Sequence, residues 1–456
     1  MPPSHSVNRR RFLLTASSAA AWASSGSFVH AITQSPNDTI RLGVIGFGTQ
    51  GLTDANAALR VPNVQVVAAA SCYDGHLERA RELLGDGSLR TRDYRRILDR
   101  KDIDAVVVAT PDHWHMRACL DALDAGKDVY CEKPLTHTID EGTTLVNAVK
   151  KSTRILQVGS QHTSSPPLIE AKQLIKDGVL GQVTQLEASW NTNNEISSWL
   201  APIPPDASPS TIDWPRWLGS APRVPFDADR HFQWRIFREY GEGLSGDVLV
   251  HIITALHFIL DLDVPEVGNA VGGRFIWKGK RNVYDAITGS WEYPEGIISI
   301  LGATQNTSFG GTQIRIMGSK ATMVLTWTDY KIYEDESAPN WRYTTNVWPK
   351  DAREAYWQSK GLPIEPGLPP IGSNPQRVPT PTRTWQPPAG QPARQPWHML
   401  HFVDCLRSRR TPVQDVVMGN NAAITAHMAN LAYYGKQTVR FDRATRKVTA
   451  RVPRNG

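Results

Sequence analysis

A chain of 456 residues exceeds one ordinary hydrophobic core and predicts two domains with additional segments. Its 40% hydrophobic and 21% charged residues exclude a disordered or fibrous protein. Three of the 50 basic residues lie within residues 1–31, which carry no acid, and the remaining 47 face 44 acidic residues. A balance this even gives no reason to expect nucleic acid or an anionic membrane as a partner.

The amino terminus has the organisation of an export signal. Three arginines, Arg9–Arg11, precede an apolar, alanine-rich run that ends at Trp22, and Val29–Ala31 is a candidate cleavage site. The leader resembles a twin-arginine signal, which exports folded proteins. We therefore expect a periplasmic or otherwise exported protein that loses residues 1–31; a cytosolic protein with a chance basic leader is the alternative. The apolar run is too short to span a bilayer, so no membrane attachment is expected after cleavage.

From Thr39 onward, short apolar runs alternate with helical segments, which is typical of a parallel sheet with crossover helices. The predicted strands are Ile40–Ile45, Val64–Ala70, Asp104–Thr110, Asp128–Glu132 and Ile155–Gly159. The predicted helices are Leu52–Arg60, His76–Leu84, His115–Ala125 and Ile139–Lys150. We therefore predict an α/β Rossmann domain over residues 39–160.

Beyond residue 160, strands follow one another without helices between most of them. They are Gln182–Trp190, Asn269–Phe275, Ala286–Tyr293, Ile297–Gly302, Thr312–Met317 and Ala321–Thr326. Helical spacing returns at Gly246–Leu260, His398–Arg407 and Asn420–Tyr434, and the prolines of residues 360–396 predict an extended arm. The second domain, residues 161–456, is thus predicted to be α+β with a large, mostly antiparallel, open-faced sheet.

A glycine-rich hexapeptide directly follows the first strand and opens the first helix. Its glycines permit a tight turn, close approach of the backbone to a pyrophosphate and close helix packing. The helix amino terminus offers N–H groups and the positive end of its dipole to phosphates. We therefore predict dinucleotide binding; a glycine-rich turn without a ligand is the alternative. The predicted contacts are Gly46, Phe47, Gly48, Thr49, Gln50 and Gly51.

The end of the second strand bears on the choice between NAD and NADP. An acid there binds the ribose hydroxyl of NAD and repels a 2′-phosphate. Ser71 occupies this place, which slightly favours NADP, whereas Asp74 is placed to act as the acid from further along. The choice between NAD and NADP therefore stays open. Because an exported, folded protein carries its dinucleotide from the cytoplasm, we expect tight binding.

Two further strand ends carry polar residues. Carboxyl ends of parallel strands meet at one edge, so Thr110, His113, Glu132 and Lys133 are predicted to contact the cofactor there, with the loop after the third strand lining the nicotinamide. Lys133 follows as a polarising donor or proton carrier; a surface ion pair with Glu132 is the alternative. His113 and His115 have no third ligand nearby in the sequence, so no metal is expected.

These motifs in this order resemble the Gfo/Idh/MocA family, which includes glucose–fructose oxidoreductase and inositol dehydrogenase. They are the glycine loop, the run Thr-Pro-Asp-His-Trp-His, the segment Ala125–Pro134 with its Glu-Lys-Pro ending, and a later Asp-x-x-x-His element. The resemblance covers roughly residues 39–330. It implies a Rossmann domain, a second domain whose open sheet walls the site, and a homodimer or homotetramer built on that sheet.

The resemblance also assigns residues. It implies that Lys133 is the active-site lysine and that Asp247 and His251 are the acid and histidine of Asp-x-x-x-His. Residues four apart on a helix project from one face, which suits His251 as base with Asp247 holding a neighbouring hydroxyl or orienting the imidazole. Gln161 lies in a family segment near the cofactor that often ends in arginine, where this chain has His162.

The chain also differs from many family members within the Asp-x-x-x-His helix. Leu249 and Thr254 stand where glycine and aspartate are frequent, which makes the helix face less polar.

The segment before this helix is rich in tryptophan, whose ring stacks on the apolar faces of sugars. Trp234 and Arg235 are predicted to contact substrate, with Tyr240 beside them; filling of a core or an interface is the alternative.

The leading hypothesis is an exported NAD(P)-dependent oxidoreductase that acts on a sugar or polyol hydroxyl. Its rivals are a glycoside-cleaving enzyme that oxidises transiently and recycles its cofactor, and a non-catalytic protein that binds a dinucleotide and a sugar.

Overall fold

The computed structural model describes residues 39–335, 344–345, 347–361, 380–387 and 396–450. The predicted signal, residues 1–31, lies outside the described residues, as does most of the predicted proline-rich arm, residues 360–396. The described residues from Ile40 onward belong to one compact unit.

A parallel sheet with helices on both faces forms the first half of the described chain. Its strands are β1 (Ile40–Ile45), β2 (Val64–Ala70), β3 (Leu89–Thr91), β4 (Ala105–Val108), β5 (Asp128–Glu132) and β6 (Leu156–Gly159). The helices are α1 (Thr49–Leu59), α2 (Asp74–Leu84), α3 (Arg95–Leu98), α4 (His115–Asp124) and α5 (Ile139–Lys151). The strand order is β3-β2-β1-β4-β5-β6, so the direction of winding reverses between β1 and β4 and opens a crevice at their carboxyl ends.

This sheet confirms the predicted doubly wound domain. β1, β2 and β5 have the predicted bounds, whereas β4 and β6 are shorter. Every residue of β4 is buried because helices cover both faces of the sheet. β3 is not among the predicted strands, since Leu-Arg-Thr is too short to show an apolar–polar alternation.

A larger sheet dominates the second half. Within the described residues its strands are β7 (Val183–Asn191), β8 (Val267–Gly273), β9 (Ala286–Tyr293), β10 (Ile297–Thr304), β11 (Thr312–Gly318), β12 (Ala321–Leu325), β13 (Tyr330–Glu334), β14 (Arg383–Thr384), β15 (Val439–Asp442) and β16 (Lys447–Ala450). Their order is β14-β13-β12-β11-β7-β10-β9-β8-β15-β16. β7 and β10 pair in parallel and the other neighbours antiparallel, which confirms a mostly antiparallel sheet.

Helices cover one face of this sheet. The helices of the second half are α6 (Pro166–Lys176), α7 (Trp214–Leu218), α8 (Ala228–Phe232), α9 (Val250–Leu260), α10 (Lys350–Ser359), α11 (Trp397–Ser408) and α12 (Val416–Gly435). α9 and α12 bury their apolar residues against the sheet, where Met428 and Trp291 share one core. The opposite face exposes Val271, Ile298 and Ile300, as expected of an open-faced sheet; the homodimer or homotetramer stays a prediction.

The helix α11 packs on the first domain although it comes late in the chain. Met399, Phe402 and Val403 share a core with Phe47 and Leu42. The Rossmann sheet therefore ends near the predicted boundary at residue 160, but its hydrophobic core also includes a helix from the carboxy-terminal part of the chain. No helix within the described residues combines the length and apolar character needed to cross a bilayer.

Candidate active site

A cavity of about 780 Å3 lies along the carboxyl ends of the Rossmann strands and reaches β7 and α9. Its volume is in the range of ordinary ligand sites. The predicted site residues that line it are Gly46, Gly48, Thr49, Gln50, Ser71, Thr110, Glu132, Lys133, Gln161, Trp234, Arg235, Asp247 and His251. The predicted site residues outside its lining are Phe47, Gly51, His113 and Tyr240.

The turn between β1 and α1 excludes side chains at both ends. Gly46 has φ +94°, and a Cβ there would lie 2.6 Å from backbone atoms of Ala109. A Cβ on Gly51 would lie 2.2 Å from the Gly46 carbonyl oxygen, whereas one on Gly48 would meet only His76, at 3.7 Å. Since Gly48 supplies no capping side chain, the first N–H groups of α1 are left for a ligand. This cradle fits the pyrophosphate of a dinucleotide.

Phe47 and Gly51 support the turn from within, which corrects their prediction as cofactor contacts. The ring of Phe47 is 1% exposed and packs in the Rossmann core, because an aromatic side chain gains more from burial there than at a polar cavity. Its N–H donates to the carbonyl of Ala70 at 2.9 Å. Gly51 is buried in α1, pressed against the carbonyl of Gly46.

Gln50 ties the glycine turn to the end of β5. Its Nε2 donates to Asp54 Oδ1 at 3.0 Å and to Glu132 Oε1 at 3.2 Å, while Gln161 Nε2 donates to the same Glu132 oxygen at 2.6 Å. Burial raises the pKa of Glu132 to about 7. Burial, reinforced by the charge of Glu132, also raises the pKa of Asp54. Glu132 therefore belongs to an internal network and not to a surface ion pair with Lys133.

Ser71 and Asp74 both have protein partners. Ser71 Oγ lies 3.0 Å from His76 Nδ1, and the Asp74 carboxylate accepts two N–H bonds from Arg92, at 2.7 and 2.5 Å. Arg92 follows β3 and reaches the cavity because β3 pairs with β2. The residues next to Ser71 in the sequence therefore do not indicate that an arginine lies nearby. At this edge of the cavity Arg92 is thus paired with an acid, Asp74.

A segment of the second domain crosses the same end of the cavity. Residues 206–217, here called the strap, pair with the end of β2 through an isolated bridge between Tyr73 and Ile212. Backbone hydrogen bonds of 2.8 and 3.0 Å flank the bridge. The Tyr73 hydroxyl also donates to Asp206 at 2.5 Å. The strap therefore walls the side of the cavity that the end of β2 faces.

The two histidines after β4 lie with ring nitrogens near backbone carbonyls, and of the two only His115 lines the cavity. His113 Nε2 lies 3.2 Å from the carbonyl of Trp217, inside an aromatic cluster that supplies its burial, which corrects its prediction as a cofactor contact. His115 lies 2.7 Å from the carbonyl of Pro134 and 2.9 Å from that of Thr110. Among the residues that the structure describes, no cluster of histidine, cysteine or acidic side chains could hold a metal ion.

Asp247 joins two cations in the cavity. Lys133 Nζ donates to the Asp247 carbonyl and to its Oδ1, both at 2.7 Å, and Arg235 Nε donates to Oδ1 at 3.1 Å. Burial alone would raise the pKa of Asp247, but the charges of Lys133 and Arg235 outweigh it and lower that pKa. The carboxylate is therefore ionised at neutral pH. Two of the three N–H groups of Lys133 serve Asp247, which leaves the third for a ligand.

Asp247 lies within a π turn, and His251 lies in the helix that follows it. Ser245–Leu249 forms this turn and leads into α9, where one continuous helix over Gly246–Leu260 is predicted. Such turns are frequent at functional sites. Within the described residues no hydrogen bond links Asp247 to His251, so the predicted orienting role of Asp247 is wrong: its carboxylate is held by Lys133 instead.

His251 lies among rings at the far side of the cavity. Trp190 is 5.7 Å from it and His162 is 6.0 Å, measured between ring centroids. Burial, followed by the charge of Lys133 and by His162, lowers the pKa of His251 well below its ordinary value. The imidazole is therefore neutral at pH 7 and has a lone pair available for a proton.

The predicted substrate residues divide between the cavity and the core. Trp234 and Arg235 both line the cavity, with the guanidinium 4.2 Å from the indole centroid. Tyr240 is fully buried beneath them, 4.6 Å from the ring of Trp217, and its hydroxyl accepts from Arg230 at 3.3 Å. Its prediction as a substrate contact is corrected, because the aromatic cluster encloses it.

Two family models match the chain. One, described as an oxidoreductase family with an NAD-binding Rossmann fold, matches residues 40–160. The other, described as the GFO/IDH/MocA C-terminal domain, matches residues 211–324. Together they cover just over half of the chain.

Curated relatives include a dehydrogenase and a glycosidase. Levoglucosan dehydrogenase from Pseudarthrobacter phenanthrenivorans is 24% identical over 320 residues, which cover 63% of this chain and 74% of the relative. An α-N-acetylgalactosaminidase from Shewanella oneidensis is 22% identical over 230 residues, which cover 43% of this chain and half of the relative.

Solved structures share the fold. Levoglucosan dehydrogenase in complex with NADH and levoglucosan has a TM-score of 0.64 at 18% identity, covering 88% of this chain and 99% of that chain. Both domains of the chain thus have counterparts in one family, in the matched models and in the fold. The chain belongs to the Gfo/Idh/MocA family of oxidoreductases, with an NAD-binding Rossmann domain followed by the family's C-terminal domain.

Proposed function

We propose that this protein transfers a hydride between a hydroxyl-bearing carbon of a neutral sugar or polyol and NAD(H). The observation that carries the proposal is the convergence of Lys133, Asp247 and His251 in the cavity that also contains the glycine turn. The similarity to levoglucosan dehydrogenase supports a carbohydrate substrate. Trp190 and Trp234 line the same cavity and suit the apolar faces of a sugar ring.

Each of the three residues has a defined task. Bound NAD(H) supplies the two-electron chemistry by accepting or returning a hydride. His251, neutral because it is buried, takes the hydroxyl proton as the carbonyl forms and returns it in the reverse direction. Lys133 donates its remaining N–H to the same oxygen and stabilises the charge that develops there. Asp247 holds Lys133 in place through two hydrogen bonds.

The cofactor of this proposal is NAD(H), held tightly. Its support is Asp74, an acid shortly after β2 that is paired with Arg92 and disfavours a 2′-phosphate. The strap, residues 206–217, walls the cavity beside Ser71 and slows release of the dinucleotide. Mass spectrometry and absorbance of the purified protein test this point: NAD or NADH is expected to accompany it, and purification with NADP or with no dinucleotide would contradict it.

The proposal includes export through the twin-arginine pathway. Arg9 and Arg10 are its support, and a retained dinucleotide agrees with it because folding precedes this route. Fractionation of cells tests it. Replacement of both arginines by lysine is expected to leave the protein in the cytoplasm, and unchanged exported protein would contradict the proposal.

The test of the activity is turnover of purified protein on monosaccharides, anhydrosugars and polyols, followed by nicotinamide absorbance. Lys133→Ala and His251→Ala are each expected to lower kcat by about 10²–10⁴-fold with NAD(H) still bound. His257→Ala is the matched control, because His257 lies on the same helix but bonds to Tyr293 away from the cavity. Near-normal turnover in either cavity variant would overturn the assignment.

A second candidate is glycoside cleavage through transient oxidation, with the cofactor returned to its starting state. The α-N-acetylgalactosaminidase relative favours it, and the tight cofactor binding proposed above is compatible with it. Nitrophenyl glycosides distinguish the two. Release of nitrophenol without a net change in NADH supports cleavage, whereas stoichiometric NADH formation from free sugar supports the dehydrogenase.

A further inference from the structure

Three aromatic rings cluster with that of the proposed base, His251. His162 stacks on Trp327 with ring centroids 4.0 Å apart and an interplanar angle of 14°, and it meets His251 edge-on at 6.0 Å. Trp190 lies 5.7 Å from His251 and 5.5 Å from Trp327. The rings come from the turn after β6, from β7, from α9 and from the turn after β12. The surroundings of His251 are therefore assembled from segments that are far apart in the chain.

Within the part of the chain that the structure describes, no hydrogen bond holds the ring of His251. Its buried Nδ1 has no hydrogen-bond partner among the residues that the structure describes. The carboxylate of Asp247 is held by Lys133 and Arg235. Where a carboxylate bonds to a catalytic histidine, that bond sets the tautomer and the direction of the ring. Here the orientation of the His251 ring depends instead on the aromatic rings packed around it.

The side chain of His162 that packs beside His251 is uncharged. The titratable groups that face His251 are Lys133, His162 and Asp247. Burial lowers the pKa of His162 to about 4, so this ring is also uncharged at pH 7. A neutral, flat side chain on this side excludes water without competing with the substrate for the lone pair of His251.

We propose that His162, held flat against Trp327, is a positioning residue that sets the ring plane of His251 and shields it from water. The inference rests on the proposed function, because it takes His251 as the base. His162 does not touch the reacting oxygen in this scheme. His162 acts through its edge-to-face contact with His251, in which the ring centroids are 6.0 Å apart. Trp327 stacks on the other side of His162 and keeps the His162 ring from turning.

The test compares His162→Ala with His162→Phe, which keeps a ring able to stack on Trp327. The holoenzyme is labelled with ¹⁵N-histidine, and the titration of His251 is followed by NMR. In H162A the His251 midpoint is expected to rise toward its ordinary value because water enters. kcat is expected to fall by about 10–100-fold, with the dissociation constant for NAD(H) unchanged. H162F is expected to restore both quantities.

The outcomes separate this inference from the proposed function. An unchanged midpoint and kcat in H162A would overturn the inference, as would failure of H162F to restore them. Turnover by His251→Ala would overturn the role of the base itself, whereas the NMR midpoint needs no turnover. If H162A does not fold, Trp327→Leu removes the stacking surface and is expected to raise the His251 midpoint; no shift there counts against the inference.

Discussion

Replacement of Asp247 by asparagine tests the geometry on which the proposed chemistry depends. Asparagine keeps the size of the side chain and one oxygen acceptor but removes the charge. Lys133 and Arg235 then lose the carboxylate that their N–H groups approach at 2.7 and 3.1 Å. We expect both a less stable protein and a slower enzyme, because the two cations repel one another once the charge between them is gone.

The magnitude follows from burial and distance. The side chains of Lys133 and Asp247 are only 12% and 13% exposed, so solvent screens their pair little. Removing one partner of a buried ion pair lowers the free energy of unfolding by about 3–5 kcal/mol. Because asparagine keeps one oxygen acceptor, we expect the loss in D247N to lie at the lower end, about 3 kcal/mol. At about 2 °C per kcal/mol for a large domain, Tm falls by roughly 6 °C. Loss of a fixed donor at a developing charge lowers kcat by about 10²–10³-fold.

Thermal melts and steady-state turnover measure the two effects, and a fluorescence titration with NADH shows that the cofactor still binds. The folded pKa of Asp247 is lowered, so its stabilising contribution is complete above about pH 4 and is lost as the pH falls toward that lowered pKa. The Tm difference between wild type and D247N should shrink over the same range.

Asp128→Asn is the matched control for D247N. Asp128 accepts two bonds from Arg409 at the opposite end of β5, and its loss should reduce stability but not kcat. A D247N enzyme with wild-type kcat would refute the positioning of Lys133.

Three further outcomes follow from particular contacts. Gly51→Ala should abolish NADH binding in calorimetry, because its Cβ would lie 2.2 Å from a carbonyl oxygen, whereas Gly87→Ala, with open space around it, should bind normally. Tyr73→Phe removes the hydroxyl that bonds the strap and should speed NADH release by about 2–10-fold in stopped flow; Tyr330→Phe, which loses a similar bond to Glu170, should not. Burial lowers the pKa of His398 to about 3, so the protein loses stability as the pH falls below about 6.5. His398→Gln should reduce that slope by up to about 1.4 kcal/mol per pH unit in denaturant titrations, and an unchanged slope contradicts the argument.

Local signals explain how much the sequence predicts. The Rossmann strands are apolar runs with turn residues at both ends, and three of them have the predicted bounds. The glycine turn and Lys133 follow such strands directly, so their place at the sheet edge follows from the parallel order. Asp247 and His251 also reach the cavity as predicted, although the π turn that contains Asp247 leaves no trace in the spacing.

The contacts that the sequence does not reveal are long-range. Arg92 bonds to Asp74 because the three-residue strand β3 pairs with β2. Three residues are too few to show a pattern that would predict this strand. The strap reaches Tyr73 by a single bridge, which carries no periodicity. Trp327 stacks on His162 only because the fold brings the turn after β12 next to the turn after β6, 165 residues earlier in the chain. The glycine motif predicts a ligand contact for Phe47, whereas its ring packs in the hydrophobic core, which the motif does not reveal.

The charges of the cavity separate two explanations of how Asp247 acts. Lys133 and Arg235 bring two positive charges to its one negative charge, so these three side chains together produce a net positive field. The charge of Lys133 adds to burial in keeping the imidazole of His251 neutral, and a positive field stabilises negative charge on a hydroxyl oxygen as its proton leaves. Removing the carboxylate makes this field stronger. If the field alone determined the rate, D247N would be at least as fast as the wild type. The slower turnover that we expect would mean that Asp247 contributes by fixing one N–H of Lys133 toward the reacting oxygen, and that geometry outweighs charge at this site.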